Sequence, residues 1–70
     1  MNIKSQLGVR VRKLRDSKGW TQAEMAHRFG MDRSYISEME AGKRNVCLLN
    51  LKNIADGFEI SMAKLFSGLK

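Results

Sequence analysis

A chain of 70 residues has room for one domain, residues 1–70, and its thirteen Lys and Arg against seven Asp and Glu give a net charge of +6. A core of that size hides roughly 60% of the unfolded surface, so association between copies would add stability. Cys47 is the sole cysteine, the apolar runs are too short for a membrane span and no segment reads as a signal peptide. These features exclude a disulfide framework and point to the reducing cytoplasm.

The excess of positive charge favours a polyanionic partner, nucleic acid before an acidic membrane. The chain has no proline, no repeat and no sustained alternation of apolar and polar residues. Strands are therefore not expected, and the periodicities predict an all-α fold.

Ile3, Leu7, Val11 and Leu14 recur at helical spacing, and Gly19 is a natural stop. Arg10, Arg12, Lys13 and Lys18 lie mostly off that stripe. Thr21 with Glu24 three residues later forms a capping box, and Trp20 with Met25 forms a hydrophobic staple. A second helix is expected from Thr21 to Phe29, with Met25, Ala26 and Phe29 on its core face. Asp32 is placed to cap a third helix running to about Ala41, stopped by Gly42, with Met31 and Ile36 as its staple. The short link at Gly30-Met31 predicts a steep crossing of the second and third helices. Leu51, Ile54, Ala55 and Phe58 define a fourth helix. Ile60 and Ser61 open a short fifth, which carries Met62, Leu65, Phe66 and Leu69.

On a helical wheel, Ile36 and Met39 share one side of the third helix, which is expected to pack on the second. Arg33, Ser34, Ser37, Glu38 and Ala41 share the other. That face is small and polar, where a merely solvated face favours Lys and Glu in ion-pair spacing. Arg can bond guanine bidentately, Ser can bond base or phosphate, and Glu can accept from cytosine. From these residues alone two readings stand, a plain exposed face and a face shaped for a partner.

Counting from Gln22, Ala26 is fifth, Gly30 ninth and Ile36 fifteenth. The small residue permits close helix crossing, the glycine accepts a left-handed turn, and the β-branched residue fills the crevice between the helices. This pattern resembles the helix-turn-helix of the lambda repressor and Cro family, also called the xenobiotic-response-element family. "LRDSKGWTQAEMA" looks like that family's end of helix one and start of helix two, and "NLKNIADGFEIS" like its fourth helix and the turn after it. The residues of "DRSYIS", a following Glu and "GKRN" are similar to the controller proteins of restriction–modification systems.

The resemblance implies a five-helix DNA-binding domain acting as a homodimer on a palindromic operator in double-stranded DNA. Base-reading residues would be Arg33, Ser34, Tyr35, Ser37 and Glu38, with phosphate contacts from Gln22, Lys43, Arg44 and Asn45. Arg15 and Glu40 would form a structural ion pair. Leu48, Leu49, Met62, Phe66 and Leu69 exceed what so small a core can hide and are the candidate dimer interface. The chain departs from the family at Val46 and Cys47, where Pro and Ser or Thr are common, and at Glu59, where glycine is common. Gly57 falls inside the helix instead. Cap and glycine costs put each departure at about 1 kcal/mol.

His27 has no second ligand at metal spacing, and Cys47 reads as buried or inert. Met25, Met31, Met39 and Met62 read as core filler. No nucleophile–base pair, phosphate loop or paired carboxylates appear, so an enzyme, a cofactor, a metal and a small-molecule ligand are not expected. A phage-type repressor, an antitoxin regulator, or a protein-interaction module on the same scaffold are the alternative readings. With no room for a sensing domain, regulation is expected through protein concentration, by dimerisation and cooperative binding.

Overall fold

The structure is a computed structural model that describes residues 2–69. It contains α1 (Ile3–Ser17), α2 (Gln22–Phe29), α3 (Arg33–Glu40), α4 (Leu48–Gly57) and α5 (Met62–Leu65), with no strand among the described residues.

Side chains cap three of the five starts. Asn2 Oδ1 accepts from the Ser5 amide at 2.9 Å, and Ser61 Oγ accepts from the Lys64 amide at 3.0 Å. At α2 the capping box closes in both directions. The Glu24 amide donates to Thr21 Oγ1 and the Thr21 amide donates to Glu24 Oε1, each at 3.0 Å. The Thr21 amide, together with its hydroxyl, holds the Glu24 carboxyl below the usual glutamate range. The box therefore stabilises α2 fully above that range and loosens only as pH falls below it, through the lowered pKa of the folded carboxyl. Asp32 differs from expectation. It occupies the N-cap of α3 in extended backbone, but its carboxylate makes no capping hydrogen bond. Cys47, a poor capping residue, makes no capping bond at α4.

Four helices stop in one way. The amides of Trp20, Met31, Lys43 and Ile60 reach back to the carbonyls of Arg15, Ala26, Glu38 and Ala55. Each such Schellman closure needs a left-handed residue just before the donor. That residue is Gly19, Gly30 and Gly42 in the first three and Glu59, at φ 58, in the fourth. A side chain at this φ costs roughly 1–2 kcal/mol.

The core gathers one stripe from each helix. Val11, Met25, Ile36, Met39, Ile54 and Leu65 are fully buried, each large side chain contributing about 1.5–3 kcal/mol. Helix α3 packs against α1 as well as α2, whereas the apolar spacing suggested only α2. Gly8 permits it: a Cβ there would lie 2.5 Å from the Met39 carbonyl oxygen and 2.6 Å from that of Glu40. Arg10 ties α5 to α1 by donating from Nη2 to the Lys64 carbonyl at 2.9 Å and from Nε to that of Leu65 at 3.2 Å.

Behind the α1–α2 turn, Trp20 stacks on Phe58 at 5.8 Å, and Phe29 meets Phe58 edge-on at 5.1 Å. Gly57 belongs to this cluster, since a Cβ on it would come within 2.5 Å of the Phe29 ring. The glycine that looked like a weakness of α4 makes space for a buried aromatic ring.

Three substitutions test these assignments by urea denaturation. Gly8→Ala should destabilise by at least the roughly 1–3 kcal/mol of overpacking, because backbone carbonyls block the methyl. Gly57→Ala should destabilise as well, reversing the roughly 0.5–1 kcal/mol that alanine gains in an open helix; a gain would mean that the Phe29 ring can step aside. Glu59→Gly should stabilise by about 1 kcal/mol through release of the left-handed strain.

Candidate nucleic-acid interface

Helix α3 turns Ile36 and Met39 inward and leaves Arg33, Ser34, Ser37, Glu38 and Ala41 exposed, with Tyr35 half-buried at the edge. Among the described residues Arg33 has no hydrogen-bond or ion-pair partner, so its five donors are open to an external acceptor. Past the stop at Gly42, Lys43, Arg44 and Asn45 are all exposed. Gly42 seats this loop against the first turn of α1, where a Cβ would lie 2.6 Å from Ser5 Oγ. Helix α3 and the basic loop thus sit on one frame.

The frame is held from behind by Arg15. Its Nε donates to Glu40 Oε2 at 2.7 Å and its Nη2 to Glu40 Oε1 at 2.8 Å, a bidentate fork. Its Nη1 donates to the Trp20 carbonyl at 2.8 Å. The two charged side chains are only 10% and 5% exposed. The hydrogen bonds to Glu40 outweigh burial and push the Arg15 pKa up. Gln22, assigned to phosphate in the sequence, joins this group: its Nε2 donates to Glu40 Oε1 at 3.1 Å, and the side chain is half-buried. One carboxylate therefore gathers α1, the start of α2 and the end of α3.

Glu38 and Arg44, given separate tasks in the sequence, are joined in the structure. Arg44 Nη1 donates to Glu38 Oε1 at 2.8 Å, and the guanidinium lies 4.4 Å over the Tyr35 ring. These links, Gln22 to Glu40, and the fit of Gly8 under α3 escaped sequence reasoning. Each joins residues whose separation carries no periodic signal.

Of the candidate interface leucines, Leu48 and Leu49 are 72% and 81% exposed. Met62, Phe66 and Leu69 are half-buried and packed on the core. Cys47 is exposed, contrary to the buried reading, because it stands outside the first turn of α4. His27 is exposed beside a shallow cleft at Trp20. Among the described residues no group of His, Cys, Asp and Glu could hold a metal, and no helix is long and apolar enough to cross a membrane.

A folded pair of short helices, an exposed polar face on the second and a basic loop behind it define a helix-turn-helix protein. The helix-turn-helix family model HTH_3 matches residues 11–65, and the chain belongs to this family. Within it, the chain is similar to control protein C.MunI of Mycoplasma sp, 40% identical over 70 residues, which span 99% of this chain and 95% of that protein. It is similar in structure to the restriction–modification controller protein C.AhdI of Aeromonas hydrophila, with 40% identity, a TM-score of 0.84, and coverage of 90% of this chain and 91% of that one. The controller protein C.Esp1396I, solved as a tetramer with its natural 35 base-pair operator, matches at 33% identity and a TM-score of 0.83, over 94% of this chain and 87% of that one.

Arg15→Ala and Glu40→Ala should each cost about 3–5 kcal/mol, because either leaves a buried charge unpaired. The double variant should cost much less than the sum. Chemical denaturation of the four proteins measures both, and additive small effects would remove the pair from its structural role.

Proposed function

We propose that this chain is a sequence-specific DNA-binding transcriptional regulator of the controller type, acting as a homodimer on a palindromic operator in the cytoplasm. The observation that carries the proposal is the outer face of α3. It offers an unpartnered Arg33 among small hydroxyl side chains, beside an exposed Lys43-Arg44-Asn45 loop, in a chain of net charge +6. Small side chains let the backbone approach a groove floor, and Arg33 matches the two acceptors of guanine. The operator complex of C.Esp1396I supports the same reading.

In this reading Arg33, Ser34 and Ser37 read base edges, and Tyr35 meets a thymine methyl or the backbone at the rim. Glu38 faces the same groove. Lys43, Arg44 and Asn45 hold phosphates. The part of Gln22 is to fix Glu40, with the second N–H of its amide left for a phosphate. Leu48 and Leu49 supply the apolar centre of an isologous interface, with Met62, Phe66 and Leu69 behind them. A two-fold axis through α4 and α5 then places two copies of α3 in successive major grooves, which makes the operator palindromic. Occupancy then follows protein concentration through the dimer equilibrium.

DNA selected from a random pool supplies the operator duplex. On it, Arg33→Ala should cost about 1–3 kcal/mol per half-site and relax the preference at one base pair. Lys43→Ala should weaken operator and scrambled duplexes alike and flatten the salt dependence by about one unit per half-site. Equal loss on both duplexes for Arg33→Ala would make Arg33 a phosphate contact. Leu49→Glu, at a site outside the core, should leave the fold intact but shift sedimentation to monomer at micromolar concentration.

A further inference from the structure

The face proposed to bind DNA carries internal contacts of its own. Arg44 approaches Glu38 at 2.8 Å and lies 4.4 Å over the Tyr35 ring. Tyr35 and Glu38 are three residues apart and so neighbours on the surface of α3, and Arg44 arrives from the loop to lie across both. The ion-paired side chains are 46% and 47% exposed, so DNA can reach either. A guanidinium with an oxyanion at its edge and a ring against its face is already held as a phosphate would hold it.

We propose that Glu38 is an internal stand-in for a backbone phosphate on Arg44, displaced when DNA binds, and that its released carboxylate then selects against operators lacking a base amino group at that position. The proposal rests on the DNA-binding reading and adds a specificity device to it. Tyr35 and the seat of Gly42 on Ser5 keep the guanidinium in place, so the exchange needs only rotation of the Glu38 side chain. The exchange replaces one ion pair by another, so a phosphate gains less from Arg44 than from an unpaired cation. The carboxylate left behind faces a groove walled by negative charge. A cytosine N4 amino group gives it a donor, and DNA without such a group leaves it unpaired. Discrimination then comes from disfavouring wrong partners as much as from favouring the right one.

The test compares wild type, Glu38→Gln, Arg44→Ala and the double variant on operator and scrambled duplexes by fluorescence anisotropy. Glu59→Gln serves as a control with the same change of charge at the end of α4. Glu38→Gln should tighten scrambled DNA about two- to fivefold per half-site, the scale of an exposed ion pair, and more than Glu59→Gln does. It should tighten the operator less, so the ratio of the two affinities falls. In the Arg44→Ala background the gain on scrambled DNA should shrink, because only the cost of the unpaired carboxylate is left for Glu38→Gln to remove. A gain that is undiminished without Arg44, that Glu59→Gln matches, or that is equal on both duplexes overturns the inference while DNA recognition stands. Wild-type protein that fails to discriminate any duplex overturns the DNA reading and the inference together.

Discussion

Arg15 lies almost out of water, and a buried guanidinium must find acceptors for its N–H groups. It finds them on the Glu40 carboxylate and the Trp20 carbonyl, so the end of α3 and the turn into α2 are both fixed relative to α1. Gln22 adds the first turn of α2 to the same carboxylate. The two helices of the motif are thus oriented by a single acid from outside their own contact. A core of six fully buried large side chains supplies cohesion, but dispersion between methyl groups is tolerant of direction. The fork of Arg15 on Glu40 is not, and directional bonds of that kind suit a surface whose use depends on angle.

The second constraint is closeness. Gly8 lets the backbone of α1 touch the last carbonyls of α3, and Gly42 lets the following loop rest on Ser5. A helix of eight residues has little stability of its own. Packing on two sides holds α3 in register, which leaves Arg33, Ser34 and Ser37 on its outer face free of structural duty. That freedom is why small residues and an unpartnered Arg33 can stand there.

Much of the architecture is legible in the chain because its signals are local. The box at Thr21 and Glu24, the cap at Ser61 and the glycines at 19, 30 and 42 each work within a few residues, and they mark starts and stops where the structure has them. Asp32 shows the limit of such signals. Position and residue type suit a cap, yet the bond also depends on a side-chain rotation that type does not dictate. What stays hidden is contact between distant residues. Nothing around Gly8 tells that a carbonyl will lie above it. Nothing near Arg10 tells that it will close α5, 55 positions later. The candidate site divides the same way. Its exposed face follows from helical geometry, but the pairing of Glu38 with Arg44 and the turning of Gln22 toward Glu40 need the folded loop and the crossing in place.

The aromatic residues divide the molecule optically. The chain has one tryptophan and one tyrosine. The indole of Trp20 is stacked on Phe58 with Arg28 above it at 4.6 Å, so its emission reports on the junction of α2 with α4. Tyr35 lies under Arg44 on the outer face of α3, so its ring resonances report on the loop. Unfolding and surface engagement can therefore be followed in one sample, by two native chromophores and without a label, and a change in one signal with the other silent tells which event has occurred.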